Sequence, residues 1–305
     1  MTHVNRPNSN VIQLTPKRQQ RINGPVSKGP SDRETRIIAI TSGKGGVGKT
    51  NIVANLGISM VKLGKKVMIL DADMGLGNLD ILLGISPKYN LSHVALGEKR
   101  FSDIIVEGPG NIRILPAASG IQELSQLSKA QTAHLLSELY RVLDPVDILL
   151  IDTAAGISSN VLHFNAISQE IIIVTSPEPT AITDAYAIMK ILSLQYGAKS
   201  FRLLVNMVND IQEAHEVYRQ LSLVAERFLD IHIEYLGHVF FDRNVVRGVK
   251  LQQVVTISNP TTMASRCYES LAAKILETSE LSFPLRDAKG FLKHLISNKM
   301  DFSQS

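Results

Sequence analysis

The feature that most restricts this chain is the run Gly43-Lys44-Gly45-Gly46-Val47-Gly48-Lys49-Thr50, which follows the apolar stretch Arg36-Ile37-Ile38-Ala39-Ile40-Thr41-Ser42. It satisfies G-x-x-x-x-G-K-[ST] in full. Glycines at these places let the backbone wrap a phosphate and aim several N–H groups inward, through φ values that side chains forbid. Lys49 then puts a cation on the β- and γ-phosphates, and the Thr50 hydroxyl offers a ligand to Mg²⁺. A helix opening here, from about Asn51, adds the partial positive charge of its N-terminus. The expected ligands are therefore ATP and Mg²⁺, with Gly43 to Asn51 as cofactor-binding positions. The same glycines also fit G-x-G-x-x-G, with Asp71 about 20 residues on, where a dinucleotide fold holds a ribose. Lys49 and Thr50 decide against that reading, because a dinucleotide pyrophosphate needs neither a lysine nor a metal-binding hydroxyl there.

From Arg36 onward, short β-branched runs alternate with longer amphipathic stretches. The predicted strands are Ile37–Thr41, Lys66–Leu70, Asn111–Leu115, Asp147–Ile151, Glu170–Thr175, Phe201–Val205 and Ile231–Val239. The predicted helices include Asn51–Leu63, Lys129–Leu143, Thr183–Tyr196, Ile211–Phe228 and Thr261–Leu276. Runs such as 148–151 and 171–174 are continuously apolar, as strands buried on both faces of a parallel sheet must be. The expected fold is α/β: a doubly wound, mostly parallel sheet with right-handed crossovers and a phosphate loop.

The length of 305 residues suffices for one generous α/β domain. A single cysteine rules out a disulfide framework and any multi-cysteine metal site. No apolar run reaches the ~18–20 residues of a membrane span, and the N-terminal residues read as no secretory signal, so a soluble, reducing, cytoplasmic setting is expected. Residues 1–36 hold seven basic and two acidic side chains, net +5, against +4 for the whole chain. The remainder sums to 4 − 5 = −1, which argues against a nucleic-acid-binding body. The predicted organisation is a flexible basic arm over 1–35, with a short docking segment around Val11–Leu14 as an alternative to an inert leader, an ATPase domain over 36–279, and a linker with an amphipathic helix over 280–305.

Two further strands end in acids, and a parallel sheet delivers strand C-termini to the ligand edge. Val67-Met68-Ile69-Leu70 leads into Asp71-Ala72-Asp73, and Asp147 to Ile151 leads into Asp152-Thr153-Ala154-Ala155-Gly156. Phosphoryl transfer to water asks for a hydrated Mg²⁺ and an oriented water. Asp152 fits the metal-holding acid, Asp71 the metal shell, and Asp73 the group that positions the attacking water. Any single aspartate of this kind is more often a helix cap, but three aligned with a phosphate loop favour function. The scattered histidines and Cys267 suggest no site.

Lys44-Gly45-Gly46-Val47-Gly48-Lys49-Thr50 resembles the deviant Walker A loop of the MinD/ParA ATPases. The resemblance covers about residues 36–300, and the stretches 71–84, 115–128, 151–158 and 175–190 are most similar to the flagellar-number (FlhG-type) branch of that family. It implies that Lys44 reaches across an ATP-dependent homodimer to the partner's phosphates, so that Lys44, Lys49 and Asp73 serve catalysis. It also implies that Asn206 reads the adenine edge, followed here by Met207 where the family usually has arginine, with Phe241-Asp242-Arg243 as the other base-contacting loop. The implied partners are an FlhF-type SRP-like GTPase, flagellar switch-ring proteins and a flagellar transcription activator, with septum-site and cargo-positioning ATPases as the alternatives.

In the C-terminal segment, Leu285, Ala288, Phe291, Leu292, Leu295, Ile296 and Met300 recur near the helical period, with Arg286, Lys289, Lys293, His294 and Lys299 on the other faces. Phe291, Leu292, Leu295 and Ile296 would enter an anionic membrane surface, or else pack on the domain itself. Pairing two such helices by dimerisation raises membrane affinity through avidity. The expected location is thus cytoplasmic and reversibly peripheral on the inner face of the membrane.

Overall fold

The computed structural model describes residues 1–2, 35–73, 78–116, 138, 141–143 and 145–278. Of these, all but Met1 and Thr2 lie in the unit Glu34–Ser305. The strands are β1 (Arg36–Ser42), β2 (Val67–Ala72), β3 (Val106–Glu107), β4 (Arg113–Pro116), β5 (Ile148–Ala155), β6 (Glu170–Thr175), β7 (Ser200–Val208) and β8 (His232–Phe240). They form one sheet in the order β3-β4-β2-β5-β1-β6-β7-β8. Every neighbouring pair is parallel except β3–β4. The principal helices are α1 (Lys49–Lys62), α2 (Leu79–Leu83), α3 (Leu91–Ala95), α4 (Phe101–Ile104), α5 (Ser159–Ile167), α6 (Pro179–Tyr196), α7 (Ile211–Leu229), α8 (Arg243–Lys250), α9 (Val255–Ser258) and α10 (Met263–Glu277). Among them none is long and apolar enough to cross a membrane.

The continuous apolar runs are explained by burial on both sheet faces. Ile38, Ile40, Leu150, Val174 and Leu204 face a core shared with Ile52 and Leu56 of α1 and Tyr268 of α10. Their alternating neighbours Ile37, Leu149 and Ile151 face Phe164 of α5, and Ile173, Leu203 and Val205 face Met189 of α6 and Val217 of α7. Helix α1 passes so close to the sheet that a Cβ on Gly57 would lie 2.5 Å from Ile112 Cδ1.

Several boundaries differ from the sequence-based expectation for local reasons. Helix α6 begins at Pro179 rather than Thr183, since proline is well suited to the first helical position, where its missing N–H costs nothing. The strand expected at Asn111 starts at Arg113, because Asn111 takes φ 61° and closes the turn Pro109–Asn111. Helix α5 carries no clear period and was not expected. Of the helix expected over 129–143, only 138 and 141–143 are described, and these are helical. The arm over 3–34 and the membrane positions Phe291, Leu292, Leu295 and Ile296 lie outside the described residues.

At the N-terminal ends of β1, β6, β7 and β8, an ionic cluster replaces apolar packing. Arg202 is 1% exposed, with Nη1 at 3.4 Å from Glu170 Oε2 and Nη2 at 3.2 Å from Glu234 Oε1 and 3.0 Å from Thr278 Oγ1. Arg36 pairs with the same Glu170, its Nη2 at 2.7 Å from Oε2, and its Nη1 donates to the Ile275 carbonyl at 2.6 Å. Removing one partner of such a group strands a buried charge. Glu170→Ala should therefore lower the unfolding free energy by roughly 3–5 kcal/mol in a urea titration, with little effect on nucleotide binding at the far end of the sheet.

Candidate functional site

Residues 43–48 join the end of β1 to the start of α1 at the centre of the sheet's C-terminal edge. Gly46 and Gly48 take φ 85° and 84°, a left-handed backbone that other residues rarely adopt. Gly43 is required by space: a Cβ there would sit 2.1 Å from the Asp184 carbonyl oxygen of α6. Gly48 is the N-cap of α1 and supplies no capping side chain, so the first-turn N–H groups are left to an anion. Ser42 accepts from the Gly156 N–H at 2.9 Å, tying the loop's base to the end of β5.

The strand order brings the predicted acids to this loop. Strand β5 lies between β1 and β2, and the register sets Asp71 directly beside Asp152. Lys49 Nζ meets Asp152 Oδ1 at 2.5 Å, with 7% and 2% of their side chains exposed. The Thr50 side chain also hydrogen-bonds Asp152. Asp71 Oδ1 accepts from the Asp73 N–H at 3.3 Å. The structure thus brings Lys49, Thr50, Asp71, Asp73 and Asp152 together, while Asn51 sits half-buried in the first turn of α1.

Burial and the neighbouring Asp152 charge push the Asp71 carboxyl up to about 7. Burial also raises Asp152, opposed by the Lys49 ammonium. Crowded carboxylates with a threonine hydroxyl form an all-oxygen donor set, which suits a hard divalent cation such as Mg²⁺.

Lys44 takes a different course. Its Nζ donates to Glu178 Oε2 at 2.6 Å and Thr180 Oγ1 at 2.8 Å, at the start of α6, and about a third of its side chain is exposed (36%). Glu178, Thr180 and Asp184 were missed in the sequence, because β6 reaches the loop only through the strand order. Asn206, at the end of β7, donates from Nδ2 to the Val47 carbonyl at 2.8 Å. Beside it the Phe241 N–H donates to Val208 O at 2.9 Å, and Asp242 caps α8, so the second predicted loop adjoins Asn206.

This is the architecture and loop of a P-loop ATPase, and residues 35–212 match the family model described as an AAA domain. The chain belongs to the MinD/ParA family of ATPases. It is 42% identical to the antiactivator FleN of Pseudomonas aeruginosa over 240 residues, which span 79% of this chain and 86% of that protein. It is 36% identical to the flagellum site-determining protein YlxH of Helicobacter pylori over 279 residues, covering 90% and 94%. Among solved structures, the MinC:MinD cell division protein complex of Aquifex aeolicus matches with a TM-score of 0.64 and 26% identity, over 82% of this chain and 98% of that one.

A carboxyl raised by folding stabilises the fold only while it stays protonated. The unfolded Asp71 ionises near 3.8 and the folded one near 7, so its stabilising contribution is lost as pH rises between them. In chelator and without nucleotide, stability should fall across that window by up to about 4 kcal/mol. Asp71→Asn should flatten the fall in urea titrations run from pH 5 to 8.

Proposed function

We propose that the protein is an ATP-gated dimeric switch, acting at the inner face of the cytoplasmic membrane, that regulates flagellar number and placement. The backbone of Gly43 to Thr50 and the Lys49 ammonium hold the phosphates, while Thr50, Asp71 and Asp152 hold Mg²⁺. Mg²⁺ when bound supplies charge neutralisation on the phosphate oxygens. Asp73 orients the attacking water, and Asn206 reads the adenine edge. Hydrolysis by so few groups is slow, which suits a timer better than a metabolic catalyst.

The observation that carries the switch is Lys44. Its ammonium leaves its own loop for Glu178 and Thr180, in a partly exposed contact that the phosphates of a second copy can replace. An exposed ion pair of this kind holds only ~0–1 kcal/mol, so exchange costs little. The flagellar assignment rests on the likeness to FleN and YlxH over most of both chains. Its partners would be the FlhF-type GTPase, switch-ring proteins, a flagellar transcription activator and anionic lipid through residues 285–300. A septum-site role is the second reading, supported by the likeness to MinD in its complex with MinC.

Lys49→Ala should abolish ATP binding in calorimetry. Lys44→Ala should bind ATP as a monomer and fail to dimerise in light scattering. Asp73→Ala should bind ATP, accumulate as a dimer and lose turnover by at least ~10²-fold in a phosphate-release assay. A monomeric, fully active Asp73 variant refutes its assignment.

In a strain lacking the gene, flagella and minicells should be counted together. Extra or misplaced flagella with normal division are expected. Minicells with normal flagella would move the protein to the septum-site class.

A further inference from the structure

Helix α1 carries a polar stripe that its place in the core does not ask for. Asn51, Asn55, Ser59 and Lys62 recur at the helical spacing on one face. Asn55 and Ser59 are 0% and 1% exposed. Asparagine is a weak former of helix interiors, and a buried amide is costly unless it is hydrogen-bonded.

Asn55 finds its partners in two directions. Its Nδ2 donates to the Asn51 carbonyl at 2.8 Å, one turn back toward the phosphate loop. Its Oδ1 accepts from the Thr256 N–H at 3.1 Å and from the Thr256 hydroxyl at 2.9 Å, both on α9. Thr256 is itself fully buried, and its carbonyl accepts from Lys62 Nζ at 2.5 Å. From the other side, Ser265 Oγ of α10 donates to the Val255 and Asn259 carbonyls at 3.2 and 2.8 Å, which fixes α9. Directional bonds of this kind hold the rotation and height of α1 more sharply than apolar contact does.

The end of α1 that this anchor controls is the one that meets the phosphates. Asn51 follows Thr50 directly, and its carbonyl takes the Asn55 amide in addition to the backbone N–H that helical geometry brings to it. Lys49 and Thr50 precede it in the same turn, and both bond Asp152. A displacement at Asn55 therefore reaches Thr50 within one turn. The loop supplies no such restraint of its own at the helix start, because the N-cap Gly48 has no side chain.

We propose that Asn55 is a positioning residue for the Mg²⁺-nucleotide site: by tying α1 to α9, it holds the Thr50 hydroxyl where the metal needs it. The inference rests on the nucleotide site proposed above. Asn55 acts through the first turn of the helix and not by contact with the ligand.

The test is calorimetry of ATP binding to the full chain in Mg²⁺ and in chelator, beside melting and hydrogen exchange without nucleotide. Asn55→Leu should lower the factor by which Mg²⁺ raises ATP affinity by about 10-fold, as loss of a group that orients a metal ligand does. Without nucleotide, the Ile52 amide, which bonds the Gly48 carbonyl at 3.1 Å, should exchange faster in this variant. The variant should also melt lower, because Thr256 keeps two buried donors without their acceptor. Adding Thr256→Val removes one of those donors, so the double variant should recover part of the melting temperature. Its Mg²⁺ factor and its Ile52 exchange should stay with the single variant. Thr256→Ser keeps both donors and should lie within about twofold of wild type. If Asn55→Leu does not fold, Thr256→Val alone carries the test, with a loss of about 3- to 10-fold in the Mg²⁺ factor.

An unchanged Mg²⁺ factor in Asn55→Leu overturns the proposal, and so does unchanged exchange at Ile52. A double variant whose Mg²⁺ factor returns together with its melting temperature makes Asn55 a structural group only, which also overturns it. Wild-type protein whose ATP affinity Mg²⁺ does not raise overturns it too, leaving the phosphate loop intact. Wild-type protein that binds no ATP refutes the nucleotide site itself.

Discussion

The buried pair between Lys49 and Asp152 is the contact on which the rest of the site depends. An ammonium and a carboxylate almost fully removed from water are each costly alone, and their 2.5 Å contact offsets that cost only if both stay in place. The pair joins the helix that follows β1 to the end of β5, and β5 in turn sets Asp71 by register. One lysine thus faces a crowd of carboxylates, and burial together with the surplus negative charge lifts Asp71. A divalent cation relieves that crowding, so the electrostatics that burden the protein by itself favour the metal-bound nucleotide.

The two lysines of the loop differ chiefly in burial. Lys49 is sealed under the loop, where losing its partner would leave a charge in low dielectric. Lys44 sits at the rim, where water screens its contact with Glu178 and exchange of partners is nearly free. The role proposed for Lys44 needs such an exchange, and its exposure fits that proposal. That difference in depth is not visible in the sequence.

What was legible in the sequence was local. The glycines and Lys49 encode their own conformation and chemistry within a few residues, and the apolar runs report burial on two faces at once. The acids Asp71 and Asp152 could be placed because a parallel sheet gathers strand ends. Glu178 and Thr180 could not, since their meeting with Lys44 depends on β6 lying next to β1. The two-residue strand β3 holds too few residues for any period. Met207 was visible only as a departure from an expected arginine, because nothing in a methionine announces a left-handed backbone.

At the opposite end of the sheet lie both ends of the described domain. Arg36 opens β1, and Thr278 follows the last turn of α10; both bond the cluster around Glu170 and Arg202. The segments before 35 and after 278 therefore attach at the strand N-termini, while the phosphate loop lies at the strand C-termini. A rigid sheet with continuous apolar cores on both faces separates the two ends, and close-packed interiors deform little. If two copies come together as proposed, nothing inside either sheet has to deform.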